Sequence, residues 1–378
     1  MARHRVHHRR SRRRRQRLQH SLLSGLALVG LAALTLAVAT GLTAREVPAW
    51  IASSDGLIDA SEPTGREKPT LDWRGRRGIY LTSGLAASRQ RLQRYVDQLK
   101  AHGLNTLVID IKDNSSVVAY RTNVELATEI GARRVRFDLA ELVDWLHERD
   151  IYLIARQVVF NDPKLAEQID SPIAPWVYPT NPTAVDYNLS IAREVAAAGV
   201  DELQFDYIRY PDGGSYEPIY EQRYRAITSF LDTVDQAIGD EIHLSADVYG
   251  RTLRSWNQRR VDPIGQNLEA MMPYTDVLSP MVYPSHYESA RYWHAPYKTV
   301  HDELALGLER GLTMRPFLQA FARHRPPEMS QSTYVAEQVR AVRDLGLDGY
   351  LFWNPQGDYA NLWDALDALH QAPSASTD

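Results

Sequence analysis

The feature that most restricts how this chain can fold is a repeated alternation. Short apolar runs are each followed by a longer segment with helical spacing, and this happens eight times between residues 77 and 370. The runs are "RGIYLTS" (77–83), "NTLVIDIKD" (105–113), "IYLIARQVVF" (151–160), "ELQFDYIRYP" (202–211), "HLSADVYG" (243–250), "DVLSPMVYP" (276–284), "TMRPFLQAF" (313–321) and "GYLFWN" (349–354). After the first run, "SRQRLQRYVDQLKAHG" puts Leu92, Tyr95, Val96 and Leu99 on one helical face and stops at Gly103. Strands that alternate with helices build a parallel sheet. Eight such units close on themselves, so the expected class is α/β, a (β/α)8 or TIM barrel over residues 76–371. No glycine-rich phosphate turn follows the first run, which argues against a dinucleotide-binding sheet.

Helix-to-strand connections such as "HERDIYLIA" are short, whereas the strand-to-helix loops are long, above all after strands two, three, four and six. A barrel builds its site from those loops and from the strand ends beneath them. Side chains alternate along a strand. In the fourth strand Leu203, Phe205 and Tyr207 then face the helices, and Gln204 and Asp206 face the barrel interior. In the fifth, Ser245 and Asp247 face inward. Asp110 shares a face with Val108 and Lys112 in the second strand, and Arg156 takes the late position in the third. Asp110, Arg156, Asp206 and Asp247 are thus expected together at the C-terminal rim. A buried carboxylate is costly unless paired, so Asp206 either touches a ligand or is an ion-pair partner of Arg156 or Arg209 that holds the loops.

Around these groups the strand ends carry Tyr249, Tyr283 and Trp353, with His286 just beyond and amides from Gln319 and Asn354. Sugars present apolar ring faces and a rim of hydroxyls, which aromatic platforms, carboxylates and amides match. Paired carboxylates on neighbouring strands are what glycoside hydrolysis requires: one protonated acid for the leaving oxygen, one carboxylate that attacks the anomeric carbon or activates water. The expected catalytic pair is Asp206, as nucleophile or base, and Asp247, as general acid. Asp110, Arg156, Arg209, Tyr249, Tyr283, His286, Gln319, Trp353 and Asn354 are expected to contact or orient the substrate.

Other chemistries find less support. The chain has no cysteine, so thiolate metal sites, cysteine nucleophiles and disulfides are excluded. Four of the twelve histidines lie in the first 20 residues, and no zinc-binding helix or nucleophile elbow is present. No metal and no cofactor is expected.

Residues 1–44 hold nine arginines and no acid, which leaves −13 on the rest against −4 for the whole chain. An acidic body is a poor partner for nucleic acid. Residues 1–21 are basic, and residues 22–44 carry no charge. At 1.5 Å per residue that run spans about 30 Å, the thickness of a bilayer core. Positive charge on its N-terminal flank makes it a membrane anchor with the barrel outside the cytoplasm. A cleaved signal peptide, with a secreted product, is the rival reading. Residues 45–75 read as a linker and 372–378 as a frayed tail.

Taken in order, "RGIYLTS", "NTLVIDIKD", "IYLIARQVVFNDP", "ELQFDYIRYP", "LSADVYG", "IGQNLE", "VLSPMVYPSHY" and "LFWN" resemble a glycoside hydrolase-like domain family first catalogued as a bacterial domain of unknown function. The resemblance runs from about Arg77 to Trp353 and implies a TIM barrel of glycosidase type, often exported or anchored, acting on a polysaccharide. It is also distantly similar to α-amylase-like barrels, where the nucleophile ends strand four and the acid/base ends strand five. Those roles fall here on Asp206 and Asp247. The acid/base there is usually Glu, and strand seven here ends in Gln319 where those barrels carry a third carboxylate. A catalytically idle carbohydrate-binding barrel, serving envelope or exopolysaccharide assembly, is the alternative from another class.

Overall fold

The computed structural model describes residues 72–213 and 221–371. Eight strands run β1 (Arg77–Leu81), β2 (Thr106–Lys112), β3 (Tyr152–Val158), β4 (Glu202–Asp206), β5 (His243–Tyr249), β6 (Val277–Met281), β7 (Phe317–Gln319) and β8 (Tyr350–Trp353). All pairings are parallel, in sequence order, and β8 closes on β1 with Gly78 opposite Leu351. The expected (β/α)8 barrel is what the chain forms. The principal helices are α1 (Arg89–Ala101), α2 (Leu139–His147), α3 (Pro182–Ala197), α4 (Glu221–Ile238), α5 (Leu268–Met271), α6 (Pro296–Glu309), α7 (Gln331–Asp344) and α8 (Ala360–Gln371). Local sequence fixes their starts: the side chains of Ser88, Asp138, Asn181 and Ser330 each accept a backbone N–H of the first turn. The fifth unit departs from the others, with a helix of only four residues followed by a 3-10 turn.

Alternation sorts the side chains into two cores. Leu203, Phe205, Leu244, Ala246 and Val248 face outward and are buried beneath the helices. Phe205, for example, meets the edge of Phe230 on α4. Tyr80, Val108, Tyr152, Ile154, Tyr283, Phe317 and Leu351 fill the interior. Polar groups there occur in matched sets. Low in the barrel, Glu202 receives Arg315 through both terminal nitrogens, Tyr152 Oη at 3.1 Å and Ser245 Oγ at 2.5 Å. Higher up, the Gln204 amide donates to Ser279 Oγ at 3.1 Å.

Strict alternation fails at two places. A bulge between Asp110 and Lys112 turns Lys112 out of the barrel. Its ammonium is buried against Asp162 at 2.7 Å and accepted by the Val158 carbonyl and Asn188 of α3, so it does not share a face with Asp110. Tyr207 has a φ of +52° and leaves the strand path. It sits half-buried beside Trp176 instead of facing the helices.

At Gly78 the barrel wall is closed so tightly that a Cβ would lie 2.1 Å from the Thr106 carbonyl oxygen on β2. Gly78→Ala is therefore expected to force β1 and β2 apart. The expected cost is about 1–3 kcal/mol or more, read as a fall of several degrees in the thermal midpoint. An unchanged midpoint would contradict the register described.

Among the described residues no helix is long and apolar enough to cross a membrane. The expected anchor at 22–44, the linker up to residue 71 and the tail at 372–378 lie outside the described residues.

Candidate active site

The C-terminal ends of β1 to β5 converge on one guanidinium. Arg156 is 4% exposed and reaches three carboxyl groups. Its Nη1 donates to Asp110 Oδ1 at 2.5 Å, its Nε and Nη2 donate to Asp206 Oδ2 at 3.1 and 2.5 Å, and Asp247 Oδ2 lies 3.9 Å from Nε. Tyr80 Oη donates to the other oxygen of Asp110 at 2.6 Å. Tyr80 in turn stacks on Trp353, with ring centroids 3.7 Å apart, and the guanidinium carbon lies 5.0 Å from the Trp353 ring.

Asp206 and Asp247 are therefore neighbours. Their Oδ2 atoms stand 3.1 and 3.9 Å from the same nitrogen, so they are no more than about 7 Å apart. Their surroundings differ. Asp206 keeps 7% exposure, shares two hydrogen bonds with Arg156, and its Oδ1 accepts the Tyr207 backbone N–H at 2.5 Å. The left-handed turn at Tyr207 brings that N–H back over the carboxylate. Asp247 is 1% exposed, and its Oδ1 is buried without a hydrogen-bond partner in the protein. Burial, and then the charge of Asp206, hold its carboxyl well above the usual carboxylate range despite the nearby Arg156. Burial likewise raises Asp110, against the pull of Arg156. Tyr283, 3% exposed, has its phenol raised by burial first and by the charges of Asp247 and Asp206 second.

The remaining expected residues divide. Arg209 does not pair with Asp206; its guanidinium is enclosed by Trp176, Tyr207 and Tyr249 at 4.7–5.2 Å and donates to the Tyr210 carbonyl. Tyr249 and His286 line a cavity of about 540 Å³ over β5 to β7, together with Met281, Tyr287 and Trp293. The two carboxyls do not line it, although the sequence reading placed them in one cleft with these residues. The amides of Gln319 and Asn354 spend their donors within the protein. Both N–H groups of Gln319 are taken by the carbonyls of Phe321 and Arg323, and its oxygen accepts from Ser285. Both N–H groups of Asn354 are taken by the carbonyls of Ala320 and Asp358. Each closes a loop whose backbone groups must be satisfied, which leaves the amide no free donor.

Tyr80 escaped the sequence reading. Its place on β1, on the inward face, was the available signal. Glu202 and Arg315 escaped it too, although an acid at the start of a buried strand demands a cation. Among the described residues, no group of His, Asp or Glu side chains is arranged to hold a metal ion.

The fourth and fifth strands of this closed parallel barrel bring two carboxyl groups together near their C-terminal ends. The chain belongs to the family described as "Putative glycosyl hydrolase domain", which matches residues 78–359. Among solved structures, an endo-1,4-beta-mannanase from Rhizomucor miehei is similar at 11% identity with a TM-score of 0.54, covering 82% of this chain and 99% of that one. The PgaB (BpsB) glycoside hydrolase domain from Bordetella bronchiseptica is similar at 14% identity with a TM-score of 0.50, covering 81% and 96%. At such identities both likenesses concern the barrel alone. A hypothetical protein from Ruminiclostridium thermocellum shares 31% identity over 45% of this chain and 97% of its own, with a TM-score of 0.39. A search of curated protein sequences returned no match.

Proposed function

We propose that the barrel hydrolyses glycosidic bonds of a polysaccharide, with Asp247 as general acid and Asp206 as nucleophile. The observation that carries this reading is the unequal pair on adjacent strands. Arg156 holds Asp206 through two hydrogen bonds. Burial, and then the neighbouring Asp206, raise the Asp247 carboxyl well above the usual range, which favours the protonated acid. Asp247 would donate this proton to the leaving oxygen while Asp206 attacks the anomeric carbon. Water would then release the glycosyl group, with Asp247 taking a proton back. An upper bound of about 7 Å admits the 5–5.5 Å of retaining enzymes and excludes all but the lower end of the 6.5–9.5 Å range of inverting ones, so retention is the expected outcome. No cofactor enters the scheme. In line with the uncharged run at 22–44, the substrate would lie outside the cytoplasm.

One observation favours a second reading, a carbohydrate-binding barrel without turnover: the cavity lining does not include the two carboxyls. Asp206→Asn separates the two. Incubation with bacterial exopolysaccharides, followed by mass analysis, should show products that have gained one water, and Asp206→Asn should lose them while still retaining glycan. Glycan retention with no cleavage by the unmodified chain would favour the binding role.

A further inference from the structure

The charged groups that line the cavity over β5 to β7 are unequally paired. Its two carboxylates share arginines that also serve more buried acids, Arg251 with Asp262 and Arg254 with Glu303. Asp212 takes Arg251 through both terminal nitrogens at 2.9 and 3.0 Å, and Glu288 lies 3.4 Å from Arg254. The Arg251 Nε, in addition, bonds Asp262 at 3.2 Å. Arg323 lines the same cavity, is exposed, and meets no carboxylate of the described residues within ion-pair distance. Two imidazoles, His286 and His324, line it as well.

The wall that carries Arg323 is built. The Gln319 amide grips its carbonyl at 3.1 Å, the carbonyl of Phe321 at 3.0 Å and the backbone of Ser285 at 3.1 Å, so the loops after β6 and β7 are tied together. His324 stacks on Trp293, with centroids 4.2 Å apart and planes 18° from parallel, and the Trp293 indole N–H donates to the Tyr287 carbonyl at 2.7 Å. The hydroxyls of Ser285 and Tyr287, both residues of the lining, have no hydrogen-bond partner in the protein.

We propose that this cavity is a subsite for a sugar bearing a carboxylate, and that Arg323 is the residue that recognises the charge. The proposal rests on the barrel's reading as a glycan-processing protein only in taking the ligand to be a sugar. A ring face packs against the half-buried Trp293 and its stacked imidazole. A guanidinium offers two parallel N–H donors that the two oxygens of a carboxylate accept, whereas a hydroxymethyl group has only one oxygen to accept them. The substrate class is then an acidic polysaccharide, and Arg323 is the lining cation that no carboxylate of the described residues meets.

The test is calorimetric binding of the full chain to oligomers of glucuronate, galacturonate and mannuronate, each beside its carboxyl-reduced counterpart, at low ionic strength. At least one charged member should bind about tenfold more tightly than its reduced form, and Arg323→Gln should remove that gain while leaving the reduced form's affinity unchanged. Arg323→Lys should recover part of it. Equal affinities within every pair, or an equal loss for both members on Arg323→Gln, would overturn the proposal. Cleavage with no preference for the charged member would sink it and leave the hydrolase reading intact. Charge-selective binding without cleavage would do the reverse.

Discussion

Asp247→Asn is expected to slow glycan cleavage by about 10²–10⁴-fold and, at pH 8, to raise the thermal midpoint of the same protein. The two effects share one cause. The Asp247 carboxyl is buried beside Asp206, and both burial and that charge hold its proton in the folded chain. In the unfolded chain it would titrate near the ordinary value of about 3.9. Between that value and its raised one, the folded state binds more protons than the unfolded state. Stability is therefore complete below the unfolded value and falls as pH rises toward the folded one. Asp110, raised in the same direction, adds to this slope. Asn has no proton to lose, so the substitution removes the contribution of Asp247, worth about 2–4 °C for each kcal/mol recovered. Cleavage by the unmodified chain should decline on the alkaline side as the acid is lost. A variant that cleaves at the parental rate, or one less stable than the parent at pH 8, would show that Asp247 is an ion-pair partner and no general acid.

The fold was readable because two periodicities, one of strands and one of helices, repeat eight times in a fixed order. Parity alone put Asp206, Asp247 and Arg156 on the inward face, and the structure brings them to one guanidinium. Parity is a local rule, and it failed where the backbone broke it. The bulge after Asp110 sends Lys112 to Asp162, a pairing no alternation pattern contains. The left-handed Tyr207 turns a ring expected in the core toward Trp176. The fates of Gln319 and Asn354 were hidden for another reason. Their partners are backbone carbonyls of neighbouring loops, which carry no sequence signature. A terminal amide on a strand end reads the same whether it meets a hydroxyl of a sugar or a loop that needs closing. The cavity lay beyond sequence as well, since it depends on where three loops come to rest over β5 to β7.

Arg156→Leu should be the most destabilising single change in the barrel's upper half, by about 3–5 kcal/mol, and should leave no measurable cleavage. Arg156 donates to Asp110 and Asp206, so its loss leaves two buried carboxyls with no matching cation. Protonation could relieve them, which moves the cost into pH: the variant should recover stability as the medium is acidified, because neutral carboxyls need no cation. Arg156→Lys keeps the charge but cannot reproduce a fork that spans Asp110 on one side and Asp206 on the other, so it should lie between the two. The decisive variant is Arg156→Leu combined with Asp110→Asn and Asp206→Asn. If the guanidinium serves to neutralise the acids, removing their charge together with it should restore most of the lost stability in guanidinium chloride denaturation at pH 7, without restoring cleavage. If the triple variant is no more stable than Arg156→Leu alone, the cost came from the packing of Arg156 against the stacked Tyr80 and Trp353. The barrel mouth would then be held by its aromatic stack, and charge would have only a minor part in it.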